Sequence, residues 1–588
     1  MKIIELWSFL SDSRKRHFWL LAILMFLASM MEVVSIGLVL PFLAILTEPE
    51  MAYKQPYIQP IAQFFGLNQG EQLLLPITIF FISTVLFSGI VRLTYLYAMT
   101  KFSYMLGVDF RMDIFRSTLY QDYAAHLKLN SSEAINNIIN KAGIIASVVI
   151  SYITMLNSIV LITLVLSALI LINTIAVLAV FFSFGLLYWL LILYTKQKLI
   201  SNSRRISIKS TQLIKSLQEA LGGIRDVIID NSQEFYCKFF HEADISLRRA
   251  NGINSFIAQS PKFIMEAIGI ILIAIVAFIM NQQKDEYVSV IPILGAFALG
   301  AQRLLPAFQQ IYLSLSELRG SQASINDIVN ILKTPLPASA LNFPLMPIRF
   351  EKEIRLTNLC YRYEEHMPWV LESINLSIKK GSRTGFIGIT GSGKSTLLDI
   401  LMGLLVQSKG KMSIDGVYIN EKNISLWRKN ISHVPQDVYL SDATIEENIA
   451  FGISQDKIDH QRVLEVSEQA CISKLISCWK DQYKTIVGER GVKISGGQKQ
   501  RIGIARALYR NADVLVFDEA TSALDSQTEK TVMELIEKLS REITILIIAH
   551  RVTSLKGCDQ IIEIHKNNAI QIGSYEEMIK SNKKVDIE

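Results

Sequence analysis

A glycine-rich segment in the second half of the chain has the residue types and spacing of a phosphate-binding loop. Residues 385–396 read GFIGITGSGKST and match the pattern GxxxxGK[ST]. In this pattern glycines let backbone N–H groups approach phosphates, the lysine reaches the β and γ phosphates, and the last hydroxyl binds Mg²⁺. The sequence therefore predicts that Lys394 binds nucleotide phosphate and that Ser395 binds Mg²⁺. The expected ATP contacts in this segment are Gly388, Ile389, Thr390, Gly391, Ser392, Gly393, Lys394, Ser395 and Thr396.

Two adjacent carboxylates follow an apolar run further along the chain. Residues 514–519 read VLVFDE, which is typical of a buried strand that ends in acidic residues. Asp518 is predicted to hold Mg²⁺ through water, and Glu519 to polarise the water that attacks a phosphoryl group. A strand that merely ends in acidic residues at the surface is the alternative interpretation. The neighbouring segments decide between the two.

Short polar motifs surround this strand in a fixed order. LCYRYE contains Tyr363, HVPQDVYL contains Gln436, ISGGQ occupies 494–498, SALD occupies 522–525, and IIAH ends at His550. Taken alone, the tyrosine would be a packing residue of a strand, the glutamine a surface loop residue, and the histidine a core residue. Their order around the phosphate-binding loop resembles the ATPase domain of the ABC transporters.

The resemblance implies a role for each matching residue. Tyr363 would stack on adenine, Gln436 would bind Mg²⁺ and the attacking water, and His550 would contact the γ-phosphate. Ser495 and the rest of ISGGQ stand where the family has LSGGQ, and they would contact ATP held by the opposing subunit. The expected ATP contacts outside the loop are Tyr363, Ser495, Gly497, Gln498 and Asp525.

The first part of the chain has the composition of a membrane protein. The 588 residues are 50% hydrophobic and only 19% charged, and their mean hydropathy is +0.32; soluble domains usually carry about 25% charged residues. A membrane-spanning helix needs about 20 apolar residues. The stretches that reach this length are 18–46, 73–97, 144–172, 174–194, 256–280 and 288–313. The predicted fold class is an α-helical membrane domain with six transmembrane helices, followed by an α/β P-loop nucleotide-binding domain.

Lys and Arg residues orient the predicted spans. They concentrate in the first 16 residues and in the connections after spans two and four, whereas the loops after spans one and five hold one each, Lys54 and Lys284. Because cytosolic loops carry the excess of Lys and Arg, both termini are expected in the cytoplasm. The predicted location is a bacterial inner membrane, crossed several times. The net charge of +6 follows this topology, so nucleic acid is not an expected partner.

The two basic connections are long and have helical periodicity with few helix breakers. We expect the spans on either side to continue as helices into the cytosol, with a disordered basic linker as the alternative. Gly222 and Gly223 predict a turn before a short amphipathic piece. The segment PYIQPIAQFFGL at 56–67, in the first outer loop, suits a short interfacial helix.

Residues 485–491, TIVGERG, resemble a segment that precedes the signature motif in ABC exporters. The order of a six-span domain and one nucleotide domain also resembles an exporter half-transporter. The predicted boundaries are 1–330 for the membrane domain, 331–350 for a linker and 351–588 for the nucleotide-binding domain. Because the family's signature loop acts on ATP of the opposing subunit, the resemblance implies a dimer. A homodimer is expected, with a heterodimer as the alternative.

Charged residues within the predicted spans are candidates for cargo binding, because charge inside a membrane is costly and is generally functional. Arg92, Lys262 and Arg303 are the candidate substrate residues, and a basic cavity would suit an anionic headgroup such as a pyrophosphate. The alternatives are that Lys262 pairs with Glu266 one helical turn away, and that Arg92 reaches the cytosolic interface. Glu32 in the first span is a further intramembrane charge.

The apolar motifs SIGLVLPFLAILTEPE and QRLLPAFQQIYLSLSEL resemble bacterial flippases for lipid-linked oligosaccharides. The resemblance implies ATP-driven export or flipping of an amphipathic, anionic lipid-linked oligosaccharide or polysaccharide precursor across the inner membrane. An exporter of a peptide, lipid or drug is one alternative. An ATP-gated channel or sensor is another, although a gate need not retain the hydrolytic residues Glu519 and His550.

Overall fold

A computed structural model of the chain describes residues 3–39, 42, 45–46, 49–53, 69–170, 174–282, 290–334, 346–519, 529–530, 533–534, 536–537, 539–549, 555–565, 568–575 and 577. The chain divides into two compact units. The first, here called the membrane unit, comprises Met1–Leu119 and Leu129–Pro335. The second, here called the nucleotide unit, comprises Tyr120–Lys128 and Leu336–Glu588.

Helices make up the membrane unit. They are α1 (Ile3–Leu6), α2 (Asp12–Gly37), α3 (Pro49–Tyr53), α4 (Leu74–Leu119), α6 (Ser131–Asn136), α7 (Ile145–Ile170), α8 (Thr174–Gly222), α9 (Ile224–Ile229), α10 (Gln233–Gln259), α11 (Pro261–Gln282), α12 (Val290–Gly320) and α13 (Gln322–Lys333), and the intervening α5 (Tyr123–Lys128) belongs to the nucleotide unit. Short 3₁₀ turns lie at Trp7–Phe9 and Gly70–Leu73, and a π-helical turn at Asn137–Lys141. The predicted interfacial helix at 56–67 lies outside the described residues.

Three helical segments among the described residues are long and apolar enough to cross a membrane. They are Asp12–Ser35, Gly70–Leu119 and Ser131–Ala168, and they overlap the first three predicted spans. The other three predicted spans fall on α8, α11 and α12, whose side chains are described only in part, so the total of six stays a prediction.

The two longest helices are longer than a membrane crossing requires. α4 has 46 residues and α8 has 49, which corresponds to roughly 70 Å or more at 1.5 Å per residue, against about 30 Å for the hydrocarbon core. The expectation that the spans continue as helices is therefore confirmed, and the alternative of a disordered linker is wrong for these segments. α8 ends at Gly222, and the short helix α9 follows Gly223, as the paired glycines predict.

The core of the membrane unit lies between α2, α4, α7 and α13. Its buried side chains include Leu21, Phe102, Ile114, Ile153 and Val329. Because these residues come from helices far apart in sequence, their packing fixes how the first spans sit beside one another.

Two sheets form the frame of the nucleotide unit. The strands are β1 (Glu353–Tyr361), β2 (Leu371–Lys379), β3 (Arg383–Ile387), β4 (Lys409–Ile414), β5 (Val417–Tyr418), β6 (Ile431–Val434), β7 (Val514–Asp518), β8 (Thr544–Ile548), β9 (Gln560–His565) and β10 (Asn568–Gly573). The smaller sheet is antiparallel with the order β2-β1-β4-β5, and the larger has the order β10-β9-β3-β8-β7-β6. In the larger sheet all neighbours are parallel except β9 and β10.

Helices pack against the sheets. They are α14 (Lys394–Leu401), α15 (Ile424–Arg428), α16 (Ile445–Ile449), α17 (His460–Gln469), α18 (Ser473–Ser477) and α19 (Gly496–Tyr509). All five residues of β3 and the first four of β7 are buried, as expected for parallel strands that are covered on both faces. In such a sheet, ligands bind beyond the carboxyl ends of the strands. The predicted phosphate-binding loop follows β3. Asp518 is the last residue of β7 and Glu519 follows it, so the loop and the two carboxylates lie at the carboxyl edge of the sheet.

Candidate ATP-binding site

The phosphate-binding loop connects β3 to α14 with a backbone that requires glycine. Gly388, Gly391 and Gly393 have φ of +148°, +79° and +99°, which other residues rarely adopt. A Cβ atom on Gly388 would lie 2.3 Å from the backbone oxygen of Ile564. The loop therefore keeps the shape that lets backbone N–H groups surround phosphate at the beginning of α14.

Lys394 is held at the base of the loop. Its Nζ donates hydrogen bonds to the backbone oxygens of Gly388 at 2.7 Å and Ile389 at 3.0 Å. Burial lowers the pKa of the ammonium group, and the charges of Glu519 and Asp518 act in the opposite direction. A cation held by neutral carbonyl groups can exchange them for phosphate oxygens, which make stronger, charge-assisted hydrogen bonds.

The polar side chains around Lys394 suit a bound nucleotide. The Ser392 hydroxyl is buried and lacks a hydrogen-bond partner within the described part of the chain, while the Ser395 side chain is exposed. The Tyr363 hydroxyl lies 3.2 Å from Oγ1 of the buried Thr396, which places the predicted adenine-stacking ring beside α14. Its stacking role stays a prediction.

The predicted catalytic carboxylate, Glu519, contacts Gln436, which is predicted to bind Mg²⁺ and the attacking water. Nε2 of Gln436, which follows β6, donates a 2.8 Å hydrogen bond to Oε2 of Glu519, which follows β7. The backbone of Glu519 has φ of +49°, and its N–H donates to the oxygen of Ile548 at the end of β8. The carboxylate is therefore oriented both by a side chain and by the turn of its own backbone.

The ISGGQ motif forms the beginning of α19. Ser495 is the N-cap: its hydroxyl accepts from the Gln498 backbone N–H, and the Gln498 side chain accepts from the Ser495 backbone N–H at 2.9 Å. This capping box stabilises the helix start. Sequence reasoning assigned Gln498 to ATP contact and missed its capping role, which the S-x-x-Q spacing could have revealed. The exposed helix N-terminus carries the partial positive charge that suits a phosphate.

Two predicted site residues, Asp525 and His550, lie outside the described residues.

A third carboxylate, Asp399 on α14, was not predicted. Burial, together with a smaller contribution from the charge of Asp518, raises its pKa to about 6. The sequence signal was an acidic residue within the apolar helix segment LLDILM.

In the membrane unit, two of the three candidate substrate cations are paired with acidic residues. Nε of Arg92 lies 3.6 Å from Oε2 of Glu32, and Nζ of Lys262 lies 3.9 Å from Oε1 of Glu266. The structure therefore contains the i, i+4 pair of Lys262 with Glu266, which was the alternative interpretation of this lysine. The side chain of Arg303 lies outside the described part.

Both halves of the chain match family models. The model described as "ABC transporter transmembrane region" matches residues 17–284, and the model described as "ABC transporter" matches residues 371–522. The chain belongs to the ABC transporter family. A solved bacterial Atm1-family ABC exporter with ATP bound aligns with 98% of this transporter and 98% of that chain at a TM-score of 0.81. At 19% identity this likeness shows the fold alone, and it confirms the predicted exporter fold class.

Curated relatives of this ABC transporter differ in the cargo that their names give. The ATP-dependent lipid A-core flippase of Neisseria meningitidis is 27% identical over 517 residues, which is 86% of this chain and 81% of that protein. The leukotoxin translocation ATP-binding protein LktB of a Pasteurella haemolytica-like species is 34% identical over 286 residues, 48% of this chain and 39% of that protein. Matches to several such relatives cover about two fifths of their length.

Proposed function

We propose that the chain is an ATP-driven exporter or flippase that works as a homodimer in a bacterial inner membrane, with both termini in the cytoplasm. The hydrogen bond between Gln436 and Glu519 beside the phosphate-binding loop supports the proposal most directly. It brings a water-orienting amide and a general base together in a chain that also carries the membrane region of an exporter. The domain boundaries 1–330 and 351–588 are part of the proposal.

In the proposed reaction, Glu519 polarises a water that attacks the γ-phosphorus of ATP, and the bond to the β–γ bridging oxygen breaks to give ADP and phosphate. Ser395, Gln436 and Asp518 would hold Mg²⁺, which neutralises phosphate charge. His550 would contact the γ-phosphate, Asp525 would contact ATP, and Ser495 and Gly497 of the opposing subunit would complete the site. Closing and reopening of two such sites would alternate the exposure of a cavity between the membrane domains.

The proposed cargo is an amphipathic, anionic lipid-linked oligosaccharide or polysaccharide precursor. The alignment with a lipid A-core flippase runs over 86% of this chain, whereas the alignment with a toxin-translocating relative runs over 48%. An exporter of a peptide, lipid or drug remains the second candidate. A nucleotide-gated channel is disfavoured because the Gln436–Glu519 pair is the arrangement that hydrolysis needs.

Reconstituted vesicles test the proposal. The purified chain is incorporated with a fluorescent lipid-linked sugar, and the fraction of probe accessible to a membrane-impermeant quencher is followed after ATP addition. We expect an ATP-dependent change in accessibility. Glu519→Gln should retain ATP binding and lose about 100-fold or more in ATP turnover and probe movement, because it removes the general base. Equal probe movement with and without ATP would refute active transport, and wild-type turnover in the variant would refute the role of Glu519.

A further inference from the structure

A cavity of about 380 Å³ lies between α2, α4 and α7 of the membrane unit. Its polar lining consists of Ser29, Glu32, Arg92, Tyr95 and Asn157, with apolar residues around them. Asn157 lies about 18 Å along α7 from the first residue of that helix. The polar lining therefore occurs well inside helices whose apolar segments cross the membrane. We refer to this cavity as the polar chamber.

The polar side chains of the chamber are held in place by one another. Arg92 Nε lies 3.6 Å from Glu32 Oε2, and the Ser29 hydroxyl donates a 3.2 Å hydrogen bond to Oδ1 of Asn157. Ser29 and Glu32 are only 2% and 8% exposed. Burial of polar groups costs free energy, which hydrogen bonds and ion pairs offset only in part. Their position inside a membrane-spanning helix therefore indicates a function.

Tyr95 lines the chamber and carries a hydroxyl whose hydrogen-bonding capacity is not used within the described residues. The residue is 8% exposed, and its hydroxyl is shielded from solvent without a hydrogen-bond partner in the ranges the structure describes. A phenol that only packed would be better replaced by phenylalanine, because an unsatisfied buried hydroxyl is destabilising. The hydroxyl, which can donate and accept, therefore points to a ligand that brings polar groups into the chamber.

The charges of the chamber select the kind of ligand. The carboxylate of Glu32 offsets the guanidinium of Arg92, so an incoming phosphate would meet a negative charge beside the positive one. Uncharged hydroxyl groups meet no such penalty, and each can donate to a carboxylate or amide oxygen and accept from a phenol or guanidinium. The sequence expectation that Arg92 binds an anion is thus not what this pair favours.

We propose that the polar chamber binds an uncharged, hydroxyl-rich headgroup, namely a saccharide, while the alkyl part of the same molecule lies along the apolar helix surfaces. This inference rests on the proposed function and narrows its cargo to molecules whose sugar part enters the chamber. Tyr95 and Asn157 are the specificity-determining residues, and Glu32 keeps the anionic linkage of such a cargo outside the chamber itself.

Binding of three probes with the same alkyl chain tests the chamber. Dodecyl maltoside, dodecyl phosphate and dodecyltrimethylammonium are titrated below their micellar concentrations into the full chain in lipid nanodiscs, and the dissociation constants are measured. We expect the maltoside to bind about ten-fold more tightly than either charged probe. Tyr95→Phe should weaken maltoside binding about five-fold, the worth of one hydrogen bond. The matched control is Tyr97→Phe, on the same helix and 67% exposed, and it should change nothing.

A variant that binds a probe more tightly than the wild type cannot be explained by misfolding. Glu32→Gln leaves the positive charge of Arg92 unopposed by that carboxylate, so dodecyl phosphate should bind about ten-fold more tightly than to the wild type. The double variant Glu32→Gln with Arg92→Gln should lose this gain. Tighter binding of phosphate than of maltoside by the wild type, or equal effects of Tyr95→Phe and Tyr97→Phe, would overturn the proposal.

ATP turnover without probe separates this inference from the proposed function. If the wild type hydrolyses ATP and shows no preference among the probes, the chamber proposal alone fails. If it prefers the maltoside and hydrolyses no ATP, the transport proposal fails and the binding site stands.

Discussion

Nζ of Lys394 donates hydrogen bonds to two carbonyl oxygens of the phosphate-binding loop. Removal of this side chain tests the nucleotide site at the level of one residue. Lys394→Ala removes the cation that would neutralise the β and γ phosphates, so we expect ATP binding to weaken by about ten-fold or more. The measurement is the dissociation constant of a fluorescent ATP analogue. Lys411→Ala is the control, because that lysine is exposed on β4. Equal affinities for the two variants would contradict the assignment.

Asp399 gives the nucleotide unit a pH dependence. Its pKa of about 6 lies above the ordinary 3.8 because burial disfavours the charge. The folded state therefore binds the proton more tightly, and stability falls as pH rises from about 4 to 6 and is level above. Asp399→Asn should raise the free energy of unfolding by about 1 kcal/mol at pH 7.5, since a half-buried carboxylate keeps part of its hydration. The gain should vanish near pH 4.

Thermal unfolding of the full chain at both pH values measures this effect. Asp456→Asn is the control because Asp456 is exposed, and it should change the midpoint at neither pH. A gain for Asp399→Asn that is the same at pH 4 and pH 7.5 would show that the charge of Asp399 is not its cause.

At the same scale, the sequence predicts single residues well where a backbone shape demands them. The glycines of the phosphate-binding loop have the positive φ that their motif implies. Contacts between motifs are harder to predict from the sequence. The Gln436–Glu519 hydrogen bond requires β6 to lie beside β7, and neither motif specifies the strand order. The structure shows that the two strands are neighbours.

At the scale of elements, helical periodicity predicted the long α4 and α8 because their patterns continue without helix breakers. It did not predict that Tyr120–Lys128, within the first cytosolic connection, groups with the nucleotide unit. There Nζ of Lys128 lies 2.7 Å from Oε1 of Glu364, which lowers the pKa of that carboxyl group. Such a contact joins segments distant in sequence, so local pattern cannot reveal it.

The packing of α19 against the segment after β6, which contains Val438, can be tested at one glycine. A Cβ on Gly503 would lie 2.7 Å from Cγ2 of Val438, so Gly503→Ala forces the helix and loop apart. We expect a loss of about 1 kcal/mol in the free energy of unfolding, the overpacking cost less the gain in helix propensity. Adding Val438→Ala should recover most of it. Gly252→Ala on α10 is the control, because no neighbouring side chain or other element lies within 4 Å of the added Cβ. This substitution should not lower the free energy of unfolding.

For the whole molecule, the order of a membrane region and an ATP-binding domain followed from composition and motifs, and the family matches confirm it. The number of spans is less accessible, since three helical segments among the described residues meet the length and hydropathy of a span. Cargo is the least accessible property. The sequence revealed the intramembrane charges and the Lys262–Glu266 pair within one helix. It did not reveal the Glu32–Arg92 pair between two helices, and that pair changes what the site favours.

The dimer makes the strongest whole-molecule prediction, because each ATP site would combine the phosphate-binding loop of one subunit with the ISGGQ motif of the other. Lys394→Ala and Ser495→Arg each disable both sites of a homodimer. In a mixed dimer of the two variants, both lesions fall in one site and the other site is intact. Co-expression at equal levels should give half mixed dimers with one working site each, and so about a quarter of the wild-type ATP turnover.

Differently tagged subunits and two-step purification isolate the mixed dimer, whose turnover should then reach about half of the wild-type value. The control is a mixed dimer in which one subunit carries both substitutions and the other carries none. Its two sites each contain one lesion, so it should be inactive. Equal activity in the two arrangements, or full turnover by separated monomers, would refute sites shared between subunits, because only a shared site distinguishes lesions on the same chain from lesions on opposite chains.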